Sequence, residues 1–198
     1  METRDSGPAC YQTLLALCSA RISRREFRDE ALAPDLIEKI KAVAHTSPYA
    51  SGRRNWEIEV VTDRAVIAAL AAAVEKRVAD LYARTRPDFR EEFAAYAKNF
   101  SAFQSAPALF VTTFRIAPAL SLMNGAPAIR QWERDNYVKS IACVAMLILL
   151  AAESLGLAAC HMTGGLIAED DLGPLIKIKK GRNIGALIPV GYRTEEQP

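Results

Sequence analysis

Histidine is nearly absent from this 198-residue chain, occurring only as His45 and His161. The four cysteines (Cys10, Cys18, Cys143, Cys160) never fall in a CxxC spacing, so no metal site is expected. The motifs of nucleotide and nucleophile chemistry are missing as well: there is no GxGxxG turn, no GxxxxGK[ST] loop and no GxSxG elbow. An excess of one charge is also lacking. Lys and Arg number 25 against 23 Asp and Glu, a net charge of +2, which argues against nucleic acid or a membrane surface as partner. Met1 to Pro8 is polar, with no basic stretch leading into an apolar run, so no export leader is expected. The cysteines lie in apolar surroundings and are expected as buried free thiols in a reducing cytoplasm.

What is present is globular. Half of the residues are hydrophobic (51%) and about a quarter charged (24%), enough for a real core in one domain spanning 1–198. Ile141 to Ala152 (IACVAMLILLAA) is apolar on every side. As a helix it would span about 18 Å, short of the ~30 Å of a hydrocarbon core. Such a helix must be covered all round, by its own domain or by a second subunit.

The coarse pattern mixes helix and strand. Helices are expected over Tyr11–Ala20, from Pro34 to about Ala44, over Ala65–Tyr82, from Pro87 to about Gln104, over Trp132–Leu155 and over Ala168–Ile176. Gly156 suits a left-handed stop for the long one. Strands are expected over Trp56–Val60, which alternates, over Pro107–Phe114, over Leu157–Met162 and over Gly185–Tyr192, where Pro189 should restrict pairing. Ser47–Asn55 reads as a loop, Thr163-Gly164-Gly165 as a turn, and Ile116–Ala128 as an irregular flap. Helices and strands without regular βαβ alternation give an α+β class.

The densest chemistry is the run Arg21-Ile22-Ser23-Arg24-Arg25-Glu26-Phe27-Arg28. Guanidinium forks beside a short hydroxyl suit a phosphate group. In a chain of balanced charge the cluster favours a small phosphorylated ligand, with a solvated helix end as the alternative. Arg24 and Arg28 are expected exposed, in weak ion pairs with neighbours such as Glu26 and Asp29.

Taken in order, four motifs resemble the nitroreductase family of FMN-dependent oxidoreductases. Arg21, Ser23, Arg25 and Phe27 match its Arg-x-Ser-x-Arg-x-Phe phosphate motif. Pro48 to Trp56 looks like its flavin-contacting loop. The apolar helix running into Leu149–Cys160 resembles its central segment, and Ile188-Pro189-Val190-Gly191-Tyr192 its closing strand. The likeness covers roughly Leu15 to Tyr192 and is weakest between Arg115 and Asp135.

That resemblance implies a nitroreductase-like fold: a mostly antiparallel sheet of about four to five strands flanked by helices, with the apolar helix at a dimer interface. It implies a cytoplasmic homodimer with two flavin sites shared between subunits. NADH or NADPH would reduce FMN by a ping-pong scheme, and a small electron-poor acceptor (nitroaromatic, quinone or enone) would then take the electrons. Dehalogenation, flavin fragmentation, or storage and sensing without turnover are the same fold's alternatives. A colourless helical interaction module is the alternative without cofactor. Arg21, Ser23 and Arg25 would hold the phosphate. Pro48, Tyr49 and Ala50 would approach the flavin from the partner, Asn99 would meet the ring edge, and Thr163, Gly164 and Gly165 would lie at its reactive face. No catalytic acid or base is identified.

The departures carry expectations of their own. The family loop reads Pro-Ser-x-x-Asn-x-Gln-Pro-Trp. Here Tyr49 replaces serine, Gly52 replaces asparagine, and Arg54-Asn55 replace Gln-Pro, so Arg54 is expected to set positive charge beside the flavin. The family's basic tail has no match before Pro198; Arg193, or Lys180 and Arg182, are candidates to stand in. Cys160 and His161, with no visible partner base, are expected to pack. Tyr96, Phe100 and Phe103 are expected in the core, while Trp132 and Tyr137 border the variable segment of about 115–135.

Overall fold

Proline opens several of the helices, at a position whose N–H has no intrahelical partner to lose. In a computed structural model that describes residues 7–49 and 54–194, α1 covers Pro8–Ala20 and α2 Pro34–Ala44. Strand β1 (Trp56–Val61) follows, then α3 (Arg64–Arg84), whose first turn is capped by the Asp63 carboxylate accepting from Ala65 N–H at 2.8 Å. Next come α4 (Arg90–Ala97), β2 (Ala108–Phe114) and the single turn α5 (Leu120–Met123). The long α6 (Pro127–Ser154) leads to β3 (Leu157–Ala159), α7 (Glu169–Ile176) and β4 (Asn183–Tyr192). Gly156, with φ +73°, ends α6 in the expected left-handed conformation.

Among the described residues the strands form one antiparallel sheet in the order β1-β2-β4-β3. All of β2 is buried, because helices cover both faces. Phe110, Ile188 and Val190 pack with α2 and α6 on one side, through Ile40, Val144 and Ile148. Leu109, Val111 and Leu187 pack with α3, Phe103 and Leu172 on the other. The α+β class expected from the sequence, an antiparallel sheet flanked by helices with one long apolar helix, is what the chain adopts.

Two irregularities shape the sheet. Thr112 pairs with Ala186 but Thr113 with Ile184, so Gly185 is an extra residue, a bulge that turns Ile184 to the α3 face. A Cβ at Gly185 would stand 2.6 Å from Ile141 Cγ1. The second lies at Pro189. β3 and β4 pair through Ala159, and the same register returns at the Met162–Leu187 bridge. Between them Cys160 N–H donates to Pro189 O at 3.4 Å, and proline has no N–H to return. The strand expected over Leu157–Met162 is therefore interrupted where Pro189 faces it.

Other expectations are corrected. The helix expected from Pro87 to Gln104 breaks after Ala97 into turns, among them a 3-10 turn at Ala102–Ser105. Asn99 and Ser101 favour turns over helix, and the Ser101 hydroxyl donates to Glu75 on α3 at 3.0 Å. The flap contains α5, and α6 starts earlier than expected, at Pro127. Only Cys160 is a buried thiol; Cys10 and Cys18 on α1 and Cys143 on α6 are exposed. Helix α1 buries no residue, and α6 leaves Val138 and Met146 in solvent.

Candidate functional site

The arginine run forms neither helix nor strand. It is a strap tied across one end of the sheet by Arg24 N–H donating to Ala159 O and Arg28 N–H donating to Tyr192 O, both at 3.0 Å. Phe27 tucks under it against Ala106 and Ala158. With that anchoring, Ser23 and Arg25 face solvent, Arg21 is half-buried, and Arg24 turns inward.

Arg24 is therefore not the exposed neighbour the sequence led one to expect. Its Nη1 donates to Glu153 Oε2 at 2.9 Å, with both side chains almost wholly buried. Glu153 Oε1 accepts from Arg193 Nη2 at 2.7 Å, and Arg193 Nε reaches Leu157 O at 3.3 Å. Arg193 is thus engaged with the protein. Arg182, the other candidate stand-in, bonds Thr113 Oγ1 at 3.1 Å and pairs with Glu57. Arg28 is exposed as expected, paired with Glu30 at 2.8 Å.

The strap forms one wall of a polar cavity of about 220 Å³. Arg25, Asn99, Thr163 and Gly164, far apart in sequence, line it together with Tyr96, Phe100, His161 and Met162. The turn that breaks α4 supplies Asn99 and Phe100, and the arc after Cys160 supplies His161 to Gly164. Gly165 does not line the cavity. It is buried where a Cβ would meet Leu187 Cδ1 at 3.0 Å and Phe100 O at 3.1 Å, so its role is close packing. Of the three aromatics expected in the core, Phe103 is buried there and Phe100 packs against it half-buried, while Tyr96 is exposed; Tyr96 and Phe100 stand edge to face at the cavity, 5.2 Å between centroids. A broken helix cannot keep all three on one face. His161 keeps solvent on one side, yet burial of its ring lowers its pKa by penalising the charged form.

The expected flavin loop lies elsewhere on the chain. Pro48 and Tyr49 line a shallow cleft with Lys139, Ser140 and Cys143 of α6; Ala50 and Gly52 lie outside the described residues. Arg54 lies over the Trp56 ring, 5.0 Å from its centroid, and donates to His45 O at 3.3 Å.

A further cleft of about 460 Å³ shares Lys139 and Ser140 and adds Trp132, Asn136, Tyr137 and Leu120. Its floor is organised by Glu133, 6% exposed, which accepts from the N–H groups of Ala119 and Leu120 at 2.8 and 2.7 Å and from the Ser121 hydroxyl. Those donors, the serine first, hold the Glu133 carboxyl below its ordinary pKa. Tyr137 fixes the same segment by donating to Ala117 O at 2.8 Å. Sequence reading passed over Glu133, whose only signal was a carboxylate on the face of α6 that also carries Tyr137, Ile141 and Val144.

Such a helix–sheet–helix sandwich, with a cationic strap and a glycine turn meeting in one polar cleft, defines an α+β protein with that cleft as its candidate site. The profile of the Nitroreductase family matches residues 19–192, and the chain belongs to that family. Iodotyrosine deiodinase of Haliscomenobacter hydrossis is 27% identical over 176 residues, which cover 86% of this chain and 75% of that protein. Among solved structures, a BluB-like flavoprotein from Clostridium difficile 630 has a TM-score of 0.81 at 21% identity, covering 93% of this chain and 92% of the other. An oxidized iodotyrosine deiodinase bound to FMN and 3-iodo-L-tyrosine has a TM-score of 0.70 at 20% identity, covering 93% and 92%. At these identities the structural likeness establishes the fold.

Proposed function

We propose that the chain is an FMN-dependent oxidoreductase of the cytoplasm, which takes electrons from NADH or NADPH and passes them to a small electron-poor acceptor. One observation carries this reading: Arg25, Asn99, Thr163 and Gly164, expected at the cofactor from the family resemblance, line one polar cavity.

The donor set fits the cofactor. Arg25 and Ser23 are solvent-facing on an anchored strap, and Arg21 is half-buried beside them, a combination suited to a phosphate dianion. The Asn99 amide offers both a donor and an acceptor to a heterocycle edge, and the Thr163 hydroxyl adds a group of either kind. Gly164 lines the same cavity, with the Phe100 ring against its bare Cα. Bound FMN would supply the two-electron redox chemistry; the protein binds, orients and excludes water.

A second copy of the chain belongs to this proposal. Tyr11, Leu14 and Leu15 of α1 and Val138 and Met146 of α6 leave large apolar side chains in solvent. Pairing two copies through these helices would cover that surface and let the Pro48–Tyr49 loop of one protomer serve the cavity of the other. Static light scattering should then return a dimer mass.

The deciding measurement is a visible spectrum. The purified protein should be yellow, and NADPH or NADH should bleach it. Arg21→Ala combined with Arg25→Ala should give folded, colourless protein, and a fully yellow double variant overturns the phosphate assignment. Reductive dehalogenation is a second reading, favoured by the deiodinase relative. Iodide release from 3-iodotyrosine by the dithionite-reduced protein supports it, and its absence removes it.

A further inference from the structure

Glu153 sits at the penultimate position of α6, the end of a helix that disfavours negative charge. It is nonetheless buried there, held by two arginines from opposite ends of the chain, Arg24 at 2.9 Å and Arg193 at 2.7 Å. A buried ion pair contributes weakly to net stability because desolvation offsets attraction; its best-attested use is to fix one arrangement against others. The arrangement it fixes here is that of the strap. Arg24 lies between Ser23 and Arg25, and its inward side chain together with its N–H bond to Ala159 O leaves no choice but for those two neighbours to face outward. Arg193 Nε, bonded to Leu157 O, ties the same carboxylate to the strand beneath.

We propose that Glu153 is a positioning residue for the phosphate end of the cofactor site: through Arg24 it sets the register in which Ser23 and Arg25 face the ligand. The inference rests on the FMN reading, and it concerns the phosphate alone. Asn99, Thr163 and Gly164 stand on segments that Glu153 does not touch. Losing the pairing should therefore weaken recognition of the phosphate and spare recognition of the ring system.

Riboflavin, which has the ring but no phosphate, separates the two. Binding of FMN and of riboflavin to flavin-stripped full-length protein is measured by fluorescence quenching for wild type, Glu153→Gln and Arg24→Met. Arg24→Met keeps Glu153 paired with Arg193, so it leaves no lone buried charge and carries the test where Glu153→Gln fails to fold. The expected result is an FMN affinity lowered about tenfold or more, as for loss of a charge-assisted bond, with riboflavin affinity within about twofold of wild type. Equal losses for both flavins would mean a merely structural role and overturn the proposal, as would no loss for either. Wild-type protein that binds neither flavin overturns the FMN reading itself.

Discussion

Gly164 presents its bare Cα to the ring of Phe100, so closely that a Cβ built there would overlap Cδ1, Cε1 and Cγ of that ring. The two residues come from the turn after α4 and the arc after β3, and their contact closes one wall of the polar cavity. Gly164→Ala must displace the ring, at a cost of about 1–3 kcal/mol for overpacking. In a Phe100→Ala background that cost should largely vanish. Urea midpoints of the four proteins of this cycle measure it, and additive effects would show that the contact is not the cause.

The Glu133 carboxylate holds the 119–121 segment, so Glu133→Gln should loosen it. Its pKa is lowered in the folded protein, so its contribution is full above the ordinary glutamate value of 4.5 and is lost as pH falls through the lowered folded value. Limited proteolysis near Leu120 at neutral pH should be faster in the variant. Equal rates of cleavage would remove Glu133 from this role.

His161 shifts stability in the same direction, over a higher pH range. Its folded pKa lies below the ordinary 6.5, so the unfolded chain takes up the proton first. Stability contributed by the neutral ring is complete above about pH 6.5, declines as pH falls toward the folded pKa, and levels off below it. In His161→Asn the difference in stability between about pH 7.5 and pH 5 should shrink relative to wild type, with His45 common to both. An unchanged difference assigns the pH dependence elsewhere.

Gly185→Ala should be among the more damaging small substitutions. The added methyl would stand 2.6 Å from Ile141 Cγ1 and 3.0 Å from Thr112 Oγ1, both on well-packed elements. A loss of about 1–3 kcal/mol in denaturant unfolding is expected. In an Ile141→Ala background, which removes both γ carbons that the methyl would meet, the loss should shrink, and an unchanged loss would point to backbone strain at the bulge instead.

Much of this fold was legible in the chain. Pro34 and the alternation of Trp56–Val60 announce α2 and β1, since proline placement and period-2 burial are local effects. The site was half legible. The family resemblance assigned Arg25, Asn99, Thr163 and Gly164 to one site, and they line one cavity. Arg24 could not be read, because its inward turn depends on Glu153, separated by 129 residues, and sequence shows no such partner. The exposure of Tyr96 was hidden for a related reason: helical spacing predicts a shared face only while the helix continues, and this one stops at Ala97. The bulge at Gly185 was invisible too, since only the partner strand reveals the extra residue.

The interruption opposite Pro189 has an architectural output. Lacking a hydrogen to offer, that residue leaves the neighbouring chain one bond at Cys160, and paired bonding resumes at Met162. This thinned stretch begins the segment that carries His161, Thr163 and Gly164 to the cavity. A single imino nitrogen in the sheet thereby marks where the ladder slackens into the cavity wall.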